Sequence, residues 1–306
     1  MNTKIKVVGV GGSGLNAVTR MKKIGLEGVE LIVINTDEQD LRKSKADVKL
    51  RIGRKLTQGL GSGMNPEIGR KSAEENRPEI EEALKGAEMV FIACGLGGGT
   101  GSGAAPIVAE ISKNLGALTV AVVTRPFSFE GESRKKIAES AGKLLKEKVD
   151  CLITIENDKL LATLDSKTTI INAFWICDDI LRQAVQGITD LILAPGLINV
   201  DFADIKTIMK NSGSAILGAA VAKGEKRAEV ATRAALQSNL LSISPKGAKG
   251  VLFNVSGKDV SLAEIEEIGG IIKQEISSQA KIIFGAVDDP KLKQGEIKVT
   301  IIATGF

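Results

Sequence analysis

The sequence contains no histidine and no tyrosine in its 306 residues. The commonest general acid–base side chain and the commonest transition-metal ligand are thus missing, so any catalysis must rest on carboxylates, hydroxyls, amides or cations. Aromatic residues make up only 3%, with a single tryptophan, Trp175. A nucleic-acid platform interleaves aromatics with a dense basic stripe. Here the net charge is a mild +4, and basic residues occur in short groups such as Arg42, Lys43 and Lys45 or Arg134, Lys135 and Lys136. No nucleic-acid partner is expected. The three cysteines, Cys94, Cys151 and Cys177, are widely spaced in apolar stretches and form neither a metal knuckle nor a disulfide framework, which suits a reducing cytoplasm. No apolar run approaches the ~18 residues that cross a bilayer, and the amino terminus lacks the succession of a secretion signal. A soluble cytoplasmic protein without direct membrane insertion is expected, and no side-chain metal ligands are assigned.

What is present is a hydrophobic share of 43% beside 25% charged residues, enough for one large or two ordinary globular domains. Apolar runs at 5–10, 31–35, 48–52, 89–94, 118–124 and 151–155 alternate with amphipathic stretches at 16–24, 66–84, 104–115 and 133–146. Several runs are apolar almost throughout, as strands covered on both faces must be. Such alternation implies a parallel, doubly wound sheet with its ligand at the carboxyl ends of the strands. A long helical pattern follows over 168–193 and breaks at Pro195 and Gly196. Beyond it the order changes: helices near 204–210, 225–240 and 262–277 mix with strands at 215–222, 251–255, 281–287 and 297–304. The expected fold class is α/β. A Rossmann-like parallel-sheet domain over 1–167 is joined by a central helix, 168–196, to a smaller mixed-sheet domain over 197–306.

Three glycine-rich segments fall in the first half. Gly9, Gly11 and Gly14 have the GxGxxG spacing directly after a strand, and Asp37 stands where a ribose-binding acid would in a dinucleotide enzyme. Glycines here let backbone amides approach a diphosphate at a helix start, but the same turn also serves strand–helix packing alone. The second segment runs from Gly59 to Pro66, where Asn65 and Pro66 also suit a plain helix start. The third, Gly95 to Gly103, holds six glycines in nine residues with Thr100 and Ser102 and no lysine. A turn needs one or two glycines, so this density points to backbone wrapped around an anion, and the missing lysine excludes a Walker P-loop.

The run Gly97-Gly98-Gly99-Thr100-Gly101-Ser102-Gly103 resembles the signature of the tubulin superfamily, and the chain resembles the FtsZ family from end to end. Gly61 to Glu67 resembles that family's second phosphate loop, Thr124 to Gly131 its ribose loop, Asn157 to Leu161 the loop before its central helix, and Pro195 to Asp204 its catalytic loop. The close, Ile301 to Phe306, resembles the end of its globular part. The resemblance implies a GTP-dependent, filament-forming cell-division GTPase that binds GTP or GDP with Mg²⁺. It implies that Gly11, Gly12 and Asn16 line the nucleotide, Asn16 near guanine. Gly61 and Gly63 would approach the γ-phosphate, and Gly97, Gly98, Gly99, Thr100 and Gly101 would hold the β- and γ-phosphates. Glu130 would bind ribose, Arg134 would lie across the sugar-phosphate, Phe174 would stack near guanine, and Asp178 would accept its N1 and N2 hydrogens. Asn199, Asp201 and Asp204 would complete hydrolysis in a neighbouring subunit. Without the resemblance, Phe174 reads more readily as core, and Asp201 with Asp204 more readily as a simple helix cap.

Helix length supports that division of labour. Asp178 lies near the start of the long helix, and some fifteen helical residues carry the chain about 25 Å farther before Asp201 and Asp204. A carboxylate that orients the attacking water must be within ~3 Å of it or act through one more water. These acids can serve another copy stacked head to tail, and such an open contact builds filaments rather than closed dimers. The partner is thus the chain itself. Division proteins and membrane tethers are usual for the family, but the linker and tail peptide that bind tethers do not follow Phe306. The family role places the protein at the division site. Glu132 and Ser133 stand where basic residues are usual, Glu156 replaces a proline, Ser62 and Met64 replace alanines, and Trp175 is unusual beside the guanine contact. Two rivals remain: a non-hydrolysing structural member of the superfamily, and a nicotinamide-dependent oxidoreductase carried by Gly9 to Gly14 and Asp37.

Overall fold

A computed structural model describes residues 3–26, 28–161, 168–193, 196–198, 200–238, 245–289 and 292–306. The chain divides into two compact units, 1–185 and 186–306. In the first, the elements run β1 Ile5–Val10, α1 Gly11–Ile24, β2 Val29–Asn35, α2 Glu38–Lys43, β3 Val48–Arg51, α3 Arg54–Thr57, α4 Pro66–Glu75, α5 Arg77–Leu84, β4 Met89–Gly95 and α6 Gly99–Asn114. They continue with β5 Leu118–Arg125, a 3₁₀ turn Ser128–Glu130, α7 Glu132–Lys148, β6 Cys151–Glu156, α8 Asn157–Leu161 and α9 Ile170–Leu193, which crosses into the second unit.

The six strands of the first unit lie parallel in the order β3-β2-β1-β4-β5-β6. β4 is buried from Met89 to Cys94, which its unbroken apolar run requires when helices cover both faces. Strand order reverses between β1 and β4, so their carboxyl ends open a crevice where a ligand can enter. The second unit adds β7 Gly196–Ile198, α10 Phe202–Met209, β8 Gly213–Lys223, α11 Arg227–Leu236, β9 Gly250–Ser256, α12 Leu262–Glu275, β10 Lys281–Val287 and β11 Glu296–Thr304. Its sheet is mixed: β11 runs antiparallel to β8 and β9, β10 parallel to β9, and β7 antiparallel to β10. Val251, Phe253 and Val255 of β9 pack with Ala228, Ile268 and Ile272 into a core of its own. Arg227 ties α11 to α12 through Glu264 at 2.6 Å and Asp259 at 2.7 Å, holding the Glu264 carboxyl down at about 2.

Two helices start earlier than periodicity implies. α1 begins at Gly11 rather than 16, and α6 at Gly99 rather than 104, so much of each glycine segment is the first turn of a helix. Glycine's low helix propensity hides these turns, and tertiary packing overrides it. A Cβ built at Gly103 would lie 2.0 Å from Pro66 O, and one at Gly69 would lie 2.3 Å from Gly99 O, so α4 and α6 meet backbone to backbone. The stretch 66–84 also divides into two helices at Asn76, because Pro78 cannot extend the hydrogen-bond ladder of α4. The Asn76 side chain accepts from Gly53 N at 2.8 Å and donates to Glu79 at 3.1 Å, securing the break.

Gly103→Ala is expected to destabilise the first unit by roughly 2–4 kcal/mol, as overpacking against main chain does. Chemical denaturation measures it, and an unchanged midpoint would contradict the seam.

Candidate functional site

At the crevice a cavity of about 390 Å³ is lined by segments following four adjacent strands. Gly11, Gly12, Ser13 and Asn16 come from α1 after β1. Gly95, Leu96, Gly98, Gly99, Thr100 and Gly101 come from the end of β4 and the start of α6. Thr124 lies at the end of β5, Pro126, Glu130 and Arg134 follow it, and Asn157 follows β6. Phe174, Cys177 and Asp178 of α9 and Ser62 of the second glycine segment complete the wall. Every lining residue belongs to the first unit.

Eleven of the fourteen expected nucleotide contacts thus line one cavity. Gly61, Gly63 and Gly97 do not. They shape loops with positive φ of 82°, 56° and 97°, and Gly97 N donates to Ser102 Oγ at 2.9 Å. Met64, also left-handed at 60°, closes the same turn. The hydroxyl of Ser62 meets Thr100 Oγ1 at 2.9 Å, and Thr100 meets Thr36 at 2.7 Å, a buried hydroxyl chain beside the glycine wall.

The glycines divide by purpose. Gly99 and Gly101 stand against other chain, where a Cβ would lie 2.3 Å from Ser62 Oγ or 2.7 Å from Gly95 O. At Gly12 and Gly98 a Cβ would meet nothing within 4 Å, so both turn bare backbone toward open space. Helices α1 and α6 both start at this cavity without a side-chain cap. Asp37, Asn65, Asp201 and Ser261 cap α2, α4, α10 and α12, whereas α3, α5, α7 and α11 also start without a side-chain cap; what sets α1 and α6 apart is that both starts face one cavity. Uncapped first-turn amides and two helix dipoles aimed at one crevice make it receptive to an anion. Asp37 has another duty: it accepts from Asp40 N at 3.0 Å and stands apart from the lining, which removes the ribose acid from the dinucleotide reading.

Asp178 is the buried acid of the wall. Its carboxyl is pushed up to about 6 by burial, against the opposing pull of Ser13, Arg20 and Asn16. Ser13 Oγ donates to Oδ1 at 3.1 Å, and Arg20 Nη2 lies 3.7 Å from Oδ2. Beside it the Cys177 thiol is driven up to about 12, chiefly by burial, and is no nucleophile. Phe174 packs edge-on to Phe127 and Phe129 with ring centroids 5.4 and 6.4 Å apart, leaving part of its own ring exposed. Glu130 accepts from Phe127 N at 2.9 Å and from Arg134 Nη1 at 2.8 Å, which stiffens the turn after β5. Glu132 points to solvent with Lys135 as its partner at 4.0 Å, so it adds no negative charge to the cavity.

Asn157 carries a signal that side-chain type alone hid. Its Oδ1 is buried without a hydrogen-bond partner while the residue lines the cavity, an acceptor in want of a donor. Ser13, Thr124 and Cys177 are further lining residues with no sequence signal beyond their neighbours. Among the described residues no group of three acidic or sulfur ligands could hold a metal ion, so a cation here would ride on a phosphate ligand with hydroxyl or water support. Of the expected hydrolytic residues, Asn199 lies outside the described residues. Asp201 caps α10, accepting from Ala203 N at 2.9 Å, and Asp204 follows in the first turn. Both are exposed.

The sequence of residues 4–165 matches a family profile described as the GTPase domain of the Tubulin/FtsZ family, and residues 213–306 match the C-terminal domain of the FtsZ family. Among solved structures, the chain is similar to an empty FtsZ dimer from M. jannaschii, with 46% identity and a TM-score of 0.96 over 100% of this chain and 89% of that one. A substituted form of the M. jannaschii FtsZ gives 46% identity and 0.95 over 99% and 91%. CetZ2 from Haloferax volcanii, a GTPγS-bound protofilament, shares the fold at 21% identity, with a TM-score of 0.83 over 98% and 92%.

Gly98 has φ −90° and ψ 170°, open to any residue, so Gly98→Ala is expected to leave stability within about 1 kcal/mol of wild type while obstructing the anion site. Thermal unfolding paired with nucleotide titration checks both halves. For Asp178, the folded state binds the proton more tightly than the unfolded chain, so its contribution to stability is full at low pH and is lost as pH rises through about 6. Without nucleotide, Asp178→Asn should therefore gain on wild type between pH 4 and 7, by on the order of 3 kcal/mol. A difference in unfolding free energy that stays flat over this range would refute it.

Proposed function

This chain belongs to the tubulin/FtsZ family, and on that premise we propose that its nucleotide site becomes catalytic only when a second copy brings acids to it. The chain is a GTPase that binds guanine nucleotide and associates with itself, in the manner of cytoskeletal cell-division GTPases. The observation that carries the reading is the pair of uncapped helices, α1 and α6, beginning at one cavity with Gly12 and Gly98 bare toward it. Backbone amides of Gly11, Gly12, Gly98, Gly99, Thr100 and Gly101 cradle the di- and triphosphate, with Gly61, Gly63 and Gly97 setting the loops behind them. Asn16, Phe174 and Asp178 take the guanine, while Glu130, Arg134 and the orphan acceptor of Asn157 serve the sugar. Ser62 and Thr100 supply the side-chain oxygens that suit a magnesium ion carried on the phosphates, and that ion supplies charge neutralisation when bound.

Nothing in the cavity wall is placed as a base for water. Its buried acid, Asp178, belongs to the base-reading end, and Glu130 is engaged by Phe127 and Arg134. Asp201 and Asp204 are exposed carboxylates on the second unit, after a helix whose last fifteen residues beyond Asp178 span about 22 Å. Offered to another copy's cavity, with Asn199, they orient the attacking water, and hydrolysis is phosphoryl transfer by positioning and electrostatics. A head-to-tail contact of this kind propagates into a filament. The cytoplasmic division site, with division proteins and membrane tethers as partners, is the setting this reading carries. Among the described residues no helix is long and apolar enough to cross a membrane.

Because Asp201 also caps α10, Asp201→Ala would cost about 1 kcal/mol of local stability and blur the result, whereas Asn caps equally well. Asp201→Asn is expected to bind GTP as wild type does and to lose turnover by at least on the order of a hundredfold. Mixing it with Gly98→Ala, which keeps the acids but not the cradle, should restore phosphate release. Rates that merely add on mixing would show that each chain serves its own nucleotide.

A further inference from the structure

The base-reading end of the cavity has a second layer behind it. On α1, one turn beyond Asn16, Arg20 places its guanidinium over the ring of Trp175 of α9, with Cζ 3.6 Å from the ring centroid. Its Nη2 lies 3.7 Å from Asp178 Oδ2, close enough to stabilise charge but too long for a hydrogen bond. Its Nε is buried with no partner, so the group is held in place without being satisfied by hydrogen bonds at that atom. Trp175 is 58% exposed, an indole kept on the surface rather than in the core. Behind these residues lies a second cavity of about 580 Å³ that shares Asn16, Phe174 and Asp178 with the first. Arg20 lines it and has room to swing away from Asp178. What opposes that swing is the face of Trp175, which attracts the cation.

We infer that Trp175 and Arg20 form a clamp that presets Asp178 for the 2-amino edge of the purine, so that these two positioning residues set the preference for guanine over a base lacking that amino group. The inference rests on the reading of Asp178 as the guanine acceptor. Accepting from both N1–H and N2–H needs an ionised carboxylate with its oxygens fixed toward the base, and a buried acid resists ionisation. Ser13 fixes one oxygen from the α1 side. Arg20 supplies the positive charge beside the other oxygen, and its long contact leaves that carboxylate's hydrogen-bonding capacity for the ligand. Lys23 lines the second cavity, and the neighbouring Asp179 is occupied by Arg182 at 2.6 Å, so Arg20 is the cation paired with Asp178 in this wall. Without Trp175 the guanidinium relaxes toward the second cavity and solvent, and the acceptor loses its counter-charge.

The experiment compares equilibrium binding of GTP and inosine triphosphate, which lacks the 2-amino group, across Arg20→Met, Trp175→Ala, Trp175→Phe and Asp178→Asn. Arg20→Met and Trp175→Ala should each narrow the ratio of GTP to inosine triphosphate affinity, on the order of tenfold for the former, because a buried polar contact discriminates only while its partner is poised. Trp175→Phe, which keeps an aromatic face, should retain most of the ratio. A purely structural role predicts that both nucleotides weaken together. An unchanged ratio in Arg20→Met and Trp175→Ala, with Asp178→Asn still collapsing it, overturns the clamp and leaves Asp178 as the reader. An unchanged ratio in Asp178→Asn overturns the base reading and the clamp with it. Should Arg20→Met fail to fold, the exposed Trp175 decides alone: a narrowed ratio in Trp175→Ala supports the clamp, and a preserved one overturns it.

Discussion

Everything in the first unit turns on how closely main chain can approach main chain around the start of α6. A Cβ at Gly11 would lie 2.8 Å from Gly101 N, one at Gly101 2.7 Å from Gly95 O, and one at Gly99 2.7 Å from Asn65 N. Three segments from β1, β4 and the loop before α4 therefore converge on a junction with no space for side chains. Convergence puts the first turns of α1 and α6 side by side, and with them two helix starts without a side-chain cap among the described residues. The anion site is a by-product of this packing as much as a separate design. Gly12 and Gly98 are the places where the seam opens outward.

Charge is managed differently at the two ends of the same cavity. Where α1 and α6 begin, positive potential comes from backbone and helix dipoles, with Arg134 tied to Glu130. Such fixed dipoles need no reorganisation when an anion arrives. At Asp178 a negative group is kept in a place that disfavours its charge, with Ser13, Asn16 and Arg20 working against burial. Opposite ends of the cavity thus carry opposite electrostatic character.

The parallel strands of the first unit were legible in apolar runs alternating with amphipathic stretches, because covered parallel strands such as β4 are apolar almost throughout, but their order was not. The mixed sheet of the second unit was legible in the changed succession of helices and strands after the long helix, without β7. Helix starts were not: Gly11 and Gly99 look like loop until the partner backbone that excludes a Cβ is known. Glycine density between 95 and 103 has a mixed origin, since Gly99, Gly101 and Gly103 are demanded by packing and Gly98 alone there faces open space. Asn157 and Ser62 could not be singled out by type. One is distinguished by an unmet acceptor and the other by a hydroxyl chain, and both exist only in three dimensions. Asp37 misled in the opposite direction, because the position after a second strand suits a helix cap as well as a ribose contact.

The three thiols have a practical consequence. Cys94, Cys151 and Cys177 are all buried, and burial drives Cys94 and Cys177 up to about 12. At neutral pH neither of these two holds an appreciable thiolate population, so alkylating and disulfide-exchange reagents find little to attack while the fold is intact. A cysteine introduced on the surface would react essentially alone, giving fluorophores or cross-linkers a single attachment point without removal of the native sulfurs.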